Sequence, residues 1–130
     1  MFVALCCFSS CEEKNVPVTE DAIIGKWQLV SMTWELYQNE KLINSYEQDL
    51  KAGGVRLEFK ENGVLVSTEG KGEKEHSETL QWELNGSLLV IDGVKYSIRK
   101  LTDSQLRFAD MPPSDNVDYM LEITNLEKIK

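Results

Sequence analysis

The chain is poor in the residues on which most protein chemistry depends. It has a single histidine, His76, in 130 residues, and its three cysteines, Cys6, Cys7 and Cys11, all stand at the N-terminal end. From Asn15 onward there is therefore no disulfide framework, no thiolate metal site and no cysteine nucleophile. A hydrolytic triad, which needs a histidine beside its nucleophile, has only His76 to draw on. Basic residues are scarce as well: Lys plus Arg number 14 against 22 Asp plus Glu, giving a formal net charge of −8 and a pI of about 4.7. No basic stripe can neutralise a phosphate backbone, so no nucleic acid is expected as a partner. No apolar run approaches the ~20 residues that cross a bilayer as a helix, the longest being the uncharged stretch Met1 to Ser10. With only 3 prolines, 42% hydrophobic and 28% charged residues, the composition is that of one folded globular domain and not of a disordered chain.

What is present begins with an unusual N-terminus. Residues Met1 to Phe8 (MFVALCCF) are wholly apolar; Ser9, Ser10 and Cys11 follow, then Glu12, Glu13, Lys14 and Asn15. An apolar core, small residues before a cut and a polar start to the mature chain are the layout of an export signal. As a buried first strand, the same segment would be unusual, because it has no alternation and carries three cysteines. Phe8-Ser9-Ser10-Cys11 resembles a bacterial lipobox. That resemblance implies a signal peptide over residues 1–10, cleavage before Cys11, and a diacylglycerol thioether with an N-acyl chain on Cys11, several chains giving an anchoring that one cannot. Glu12-Glu13 resembles the export tag of lipoproteins displayed on the outer membrane surface of anaerobic Gram-negative bacteria. Residues 11–21 are polar, contain Pro17, and read as a lipidated cysteine plus tether, with the domain proper over 22–130.

Within the domain, hydrophobicity alternates with period two in short runs. Val55, Leu57 and Phe59 alternate with Arg56, Glu58 and Lys60; Leu80, Trp82 and Leu84 with Thr79, Gln81 and Glu83; Val94, Tyr96 and Ile98 with Lys95, Ser97 and Arg99. Asn62-Gly63, Asn85-Gly86 and Asp92-Gly93 stand between such runs and supply the positive φ angles of tight hairpins. Leu106 and Phe108 are expected to point inward, and so are Val117, Tyr119, Leu121 and Ile123 of the last strand. In the first strand, from about Gly25 to Leu36, the apolar phase changes from odd (Trp27, Leu29) to even (Val30, Met32, Trp34, Leu36), which predicts a bulge near Leu29-Val30. Tyr37 to Gly54 is the least readable stretch: Asn39-Glu40 suits a turn, Tyr46 to Ala52 one turn of helix, and the whole a lid. Eight strands joined mainly by hairpins predict an all-β fold, an eight-stranded antiparallel up-and-down barrel that closes on itself to remove its edges. A two-sheet sandwich is the alternative.

Ile24-Gly25-Lys26-Trp27-Gln28-Leu29-Val30 resembles the Gly-x-Trp opening of lipocalins. Leu57-Glu58-Phe59 with Asn62-Gly63, then Leu80 to Gly86 and Leu88 to Ile91, look like the lipocalin-like domains of bacterial envelope lipoproteins. The resemblance runs from about Ala22 to Leu126. It implies a lipocalin-like barrel whose Trp27 plugs the closed end under a basic side chain, with Arg99, Arg107 and Lys128 as the candidates.

The search for chemistry returns little. His76 with Glu73, Glu75 and Glu78 offers metal ligands, but interleaved Lys71 and Lys74 make a solvated charged loop the plainer reading. Asp110, Asp115, Asn116 and Asp118 lack the spacing of a calcium loop. No metal, no cofactor and no enzymatic activity is expected. Trp27, Phe59, Trp82, Tyr96, Phe108 and Tyr119 share the predicted inward phase and are the candidate ligand-binding residues; buried phenols at Tyr96 and Tyr119 would need polar partners. The expected function is that of a non-enzymatic envelope lipoprotein, anchored through Cys11 in the inner or the surface-exposed outer leaflet of the outer membrane, with a barrel that binds a small hydrophobic or amphipathic molecule. The alternative is a solid barrel acting as a protein-interaction module, an inhibitor of a basic enzyme or a subunit of an envelope complex, its net charge steering a cationic partner.

Overall fold

The computed structural model describes residues 14–129, so the segment read as a signal and Cys11 lie outside the described residues. A one-turn helix α1 (Glu20–Ile23) is followed, among the described residues, by nine strands: β1 (Gly25–Gln38), β2 (Lys41–Asp49), β3 (Arg56–Phe59), β4 (Val64–Glu69), β5 (His76–Asn85), β6 (Leu88–Ile91), β7 (Val94–Leu101), β8 (Gln105–Asp110) and β9 (Tyr119–Lys128). Each pairs antiparallel with its neighbour, and β9 returns to pair with β1 from Trp27↔Lys128 to Tyr37↔Tyr119. That closure makes an eight-stranded barrel of β1 and β3 to β9 and excludes the sandwich.

The ninth strand comes from the stretch that was hardest to read. Asn39 and Glu40 both take positive φ (51° and 63°), the geometry of a type I′ turn, and fold β2 back along β1. β1 is long enough to serve two partners on one edge: Gly25–Gln28 pairs β3, and Ser31–Gln38 pairs β2. The result is a wing of β2, β1 and β9 that continues one wall of the barrel. The expected helical turn over 46–52 is corrected: Tyr46 to Asp49 belong to β2, and only Lys51–Gly53 wind into a short 3-10 turn.

The predicted bulge is present. Register between β1 and β9 slips between Leu29 and Ser31, so Leu29 and Met32 line the same interior space although one is odd and the other even. A second slip, between Ile98 and Lys100, lets Tyr96, Ile98 and Leu101 all join the core. The inward phase expected for the last strand is wrong. Leu126, Thr124 and Glu122 face the interior, with Leu126 in the core cluster. Tyr119, Leu121 and Ile123 therefore point outward, since side chains alternate along a strand. Leu121 and Ile123 are nonetheless buried, because the outer face of β1, β8 and β9 has a layer of its own. Tyr37 stacks on Tyr119 with ring centroids 4.9 Å apart. Asn125 donates to Ser31 and Thr33 and accepts from Arg107 Nε at 2.7 Å, while the Ser31 hydroxyl donates to Glu47, tying β2, β1, β9 and β8 together.

The core gathers Ile23, Trp27, Phe59, Leu65, Trp82, Leu89, Leu101, Leu106, Phe108 and Leu126. Phe59 meets Trp82 edge to face, 5.2 Å between centroids, an arrangement worth about 0.5–1.5 kcal/mol beyond area burial. Val16 and Val18, read from sequence as tether, pack against this core, and the Val16 amide donates to the Leu101 carbonyl at 2.9 Å. The packed structure thus begins several residues before Ala22.

Candidate functional site

One end of the barrel is closed by α1 and the start of β1. Thr19 caps α1, its hydroxyl accepting from the Ala22 amide at 3.3 Å. The helix presents Ile23, whose carbonyl accepts from Trp27 Nε1 at 2.8 Å. Lys128 Nζ lies 4.7 Å from the Trp27 ring and donates to the Ile24 carbonyl at 3.0 Å. Of the three basic candidates, Lys128 is therefore the one that covers the tryptophan, as a cation over a π face. Gly25 makes room for it: with φ +138°, a Cβ there would stand 2.7 Å from Nζ.

The six aromatic residues singled out from sequence divide into three groups. Trp27, Phe59 and Trp82 are buried and fill the closed half, Trp82 with its Nε1 donating to the Lys60 carbonyl at 3.0 Å. Phe108 and Tyr96 line the interior cavity and meet at 68°, centroids 5.2 Å apart. Tyr119 stands on the outer face against Tyr37 and has no part in the interior.

The cavity has a volume of about 270 Å³, room for roughly nine waters at ~30 Å³ each. Its floor is apolar, with Leu29, Leu57 and Leu126, and Met32, Phe108 and Thr124 stand above them. At the mouth, away from Trp27, come Tyr96, Asp110 and Glu122. These belong to one cross-strand row, because Tyr46 pairs with Trp34, Trp34 with Glu122, and Asp110 with Tyr96, while Asp110 Oδ2 accepts from the Glu122 amide at 3.2 Å. Trp34 Nε1 donates to Glu122 Oε2 at 3.1 Å and its ring stacks on Tyr46, centroids 5.5 Å apart. Burial, then the charges of Asp110 and Glu122, push the Tyr96 phenol above its ordinary ionisation range, so it stays a neutral donor. Among the described residues its hydroxyl has no hydrogen-bond partner.

Sequence reasoning put Trp34 on the apolar phase of β1 but did not single out Glu122 at the cavity mouth, and it read Asp110 only with Asp115, Asn116 and Asp118. The signal lay in the continuation of the even phase to Leu126 and in the step from Phe108 to Asp110. The other candidates remain dispersed. His76 pairs with Glu69 across the β4–β5 hairpin at 3.3 Å, largely exposed, while Glu75 is taken by Arg56 at 2.8 Å. Asp118 accepts from the Asn39 amide at 3.0 Å, a loop contact. Among the described residues no three His, Cys, Asp or Glu side chains are grouped to hold a metal ion.

An up-and-down barrel closed at one end by a tryptophan under a basic side chain, with a cavity at the other, defines the class of small antiparallel β-barrels. The model of the lipocalin-like domain family matches residues 23–108, more than half of the chain, and the protein belongs to that family. Among solved structures, it is similar to a protein of unknown function of the DUF3598 family from Nostoc punctiforme, with 14% identity and a TM-score of 0.36. That alignment covers 88% of this chain and 51% of the other, so the chain spans about half the length of that protein. No curated protein matches the chain.

Proposed function

We propose that the protein is a non-enzymatic carrier or sensor, anchored in the bacterial cell envelope through lipidated Cys11, whose barrel holds a small apolar or amphipathic molecule. The cavity of about 270 Å³ carries this reading: a packed barrel has no need of an interior space, and this one joins an apolar floor to a polar mouth. Native mass spectrometry of the full chain bearing Cys11→Ser, before and after exposure to a lipid and metabolite extract, tests it. A discrete added mass is expected; a bare mass throughout would refute the carrier. For the anchor, incorporation of a radiolabelled fatty acid into the wild-type chain but not into Cys11→Ser is expected, and equal labelling would refute lipidation at that residue. Surface display at the outer membrane predicts labelling by an impermeant reagent on intact cells, and protection until lysis would refute it.

A second reading, a protein-interaction module, is favoured by β2. It is exposed along its whole length, with Leu42, Ile43 and Tyr46 among the exposed apolar side chains, and pairs only with β1. With a net charge of −8, such a surface suits a basic protein partner, and its association would weaken with salt.

A further inference from the structure

The cavity mouth carries a feature that an apolar ligand alone leaves unexplained. Asp110, half-buried, and Glu122, exposed to solvent, both line the cavity mouth and are joined through the Glu122 amide and Asp110 Oδ2 on neighbouring strands, an arrangement that is destabilising for like charges. Neither lies within ion-pair distance of a Lys, Arg or His among the described residues, where the ion pairs are Arg56–Glu75 and Arg99–Glu35 and His76 contacts Glu69. One oxygen of each is held in place: Glu122 Oε2 by the Trp34 indole and Asp110 Oδ2 by the Glu122 amide. Glu122 Oε1 and Asp110 Oδ1 accept no hydrogen bond from the described residues. On one side the carboxylates are flanked by the Trp34–Tyr46 stack and on the other by Tyr96 and Phe108. Negative charge held without a counter-ion between aromatic rings, over an apolar floor, is complementary to an organic cation with an apolar body.

We propose that the ligand of this barrel is an amphipathic organic cation, its ammonium group seated between Asp110 and Glu122 and its apolar portion in the cavity of Leu29, Leu57, Phe108 and Leu126. The proposal rests on the carrier reading and names its ligand class. The cation makes two charge-assisted contacts, neutralises a like-charge pair and lies beside ring faces that attract it. An anionic amphiphile of the same length meets repulsion at the same place, and a neutral one gains only the floor.

The test uses the full chain bearing Cys11→Ser and three probes of equal chain length, n-octylammonium, n-octanol and n-octanoate, titrated by calorimetry and by the summed fluorescence of Trp27, Trp34 and Trp82. Octylammonium is expected to bind at least about tenfold more tightly than octanol, the factor that one extra charge-assisted contact supplies, and octanoate more weakly than either. Glu122→Gln and Asp110→Asn should each remove that preference, weakening octylammonium at least about tenfold more than octanol. Both variants should also unfold at a higher urea concentration than the parent when no ligand is present, because each relieves the repulsion. Equal binding of all three probes would overturn the cation assignment and leave the carrier reading intact. No binding of any probe up to its solubility would overturn both. Variants that keep the octylammonium preference would overturn the assignment to these two carboxylates.

Discussion

Replacing Lys128 by methionine tests the closed end of the barrel most directly. The substitution keeps an unbranched stem over Trp27 and removes the ammonium group, and with it two interactions: the bond of 3.0 Å to the Ile24 carbonyl and the cation over the ring at 4.7 Å. A hydrogen bond from a charged group contributes about 1.5–3 kcal/mol net, and a cation–π contact about 0.5–2 kcal/mol depending on its exposure. Lys128 is half-buried, so the lower part of each range applies, and the sum is about 2 kcal/mol. With a urea m-value of about 1.5 kcal/mol/M for a domain of this size, the unfolding midpoint should fall by roughly 1.3 M at constant m. Gly25→Ala supplies an independent check, since its Cβ would stand 2.7 Å from Nζ and its φ of +138° is unfavourable for alanine. The part of that steric cost due to Nζ goes with the ammonium, while the approach to Cε at 2.9 Å is kept by methionine, so the two substitutions should cost somewhat less together than the sum of their separate effects. A midpoint shift below about 0.3 M for Lys128→Met, or strict additivity of the pair, would refute the view that this lysine holds the tryptophan in place.

Two further outcomes follow from the backbone and the phenols. Glu40 sits in the left-handed region at φ 63°, so Glu40→Gly should raise stability by about 0.5–1 kcal/mol, read from the thermal midpoint; a lower midpoint would show that the Glu40 side chain contributes more than its backbone costs. Burial and the hydrogen bond to Glu35 raise the Tyr37 ionisation above the ordinary value of 10.0, and burial with two carboxylates raises that of Tyr96. In the unfolded chain these phenols lose their protons first. Their contribution to stability is therefore complete below pH 10 and is lost as the pH rises through the folded values. Absorbance at 295 nm should show two phenols ionising late, Tyr37→Phe and Tyr96→Phe should each remove one, and an unchanged alkaline titration would refute the assignment.

Much of this architecture was legible in the residues. Asp92-Gly93, with both φ positive in the structure (48° and 82°), marked a hairpin, and the phase change at Leu29-Val30 marked a bulge because only an extra residue keeps Trp27 and Met32 on one wall. Period two names two faces of a strand without saying which is inside. In β9 the odd face carries Tyr119, Leu121 and Ile123 and is the more apolar, yet it faces outward beneath its own layer, while the inner face carries Glu122 and Thr124. The acids at the mouth were hidden by the same rule, since a charged residue on an alternating strand reads as solvent-facing. β2 was illegible for a different reason: it pairs on one edge only and buries nothing, so no alternation was imposed on it.

The return of β9 to β1 also shapes how the chain reaches its fold. Apart from β2 and β3, which both pair with β1, consecutive strands pair as neighbours and can form in the order of synthesis, whereas Lys128 meets the Ile24 carbonyl from 104 residues away. Ordering that long loop is the entropic cost left for the end, and non-local closure of this kind is slow compared with hairpin formation. Until the last ten-residue strand is in place, one edge of β1 stays open and Trp27 lacks its cover. A chain shortened by that strand would be an unclosed sheet prone to pair with its neighbours, so the barrel can protect itself only once β9 has been synthesised and is free to pair with β1.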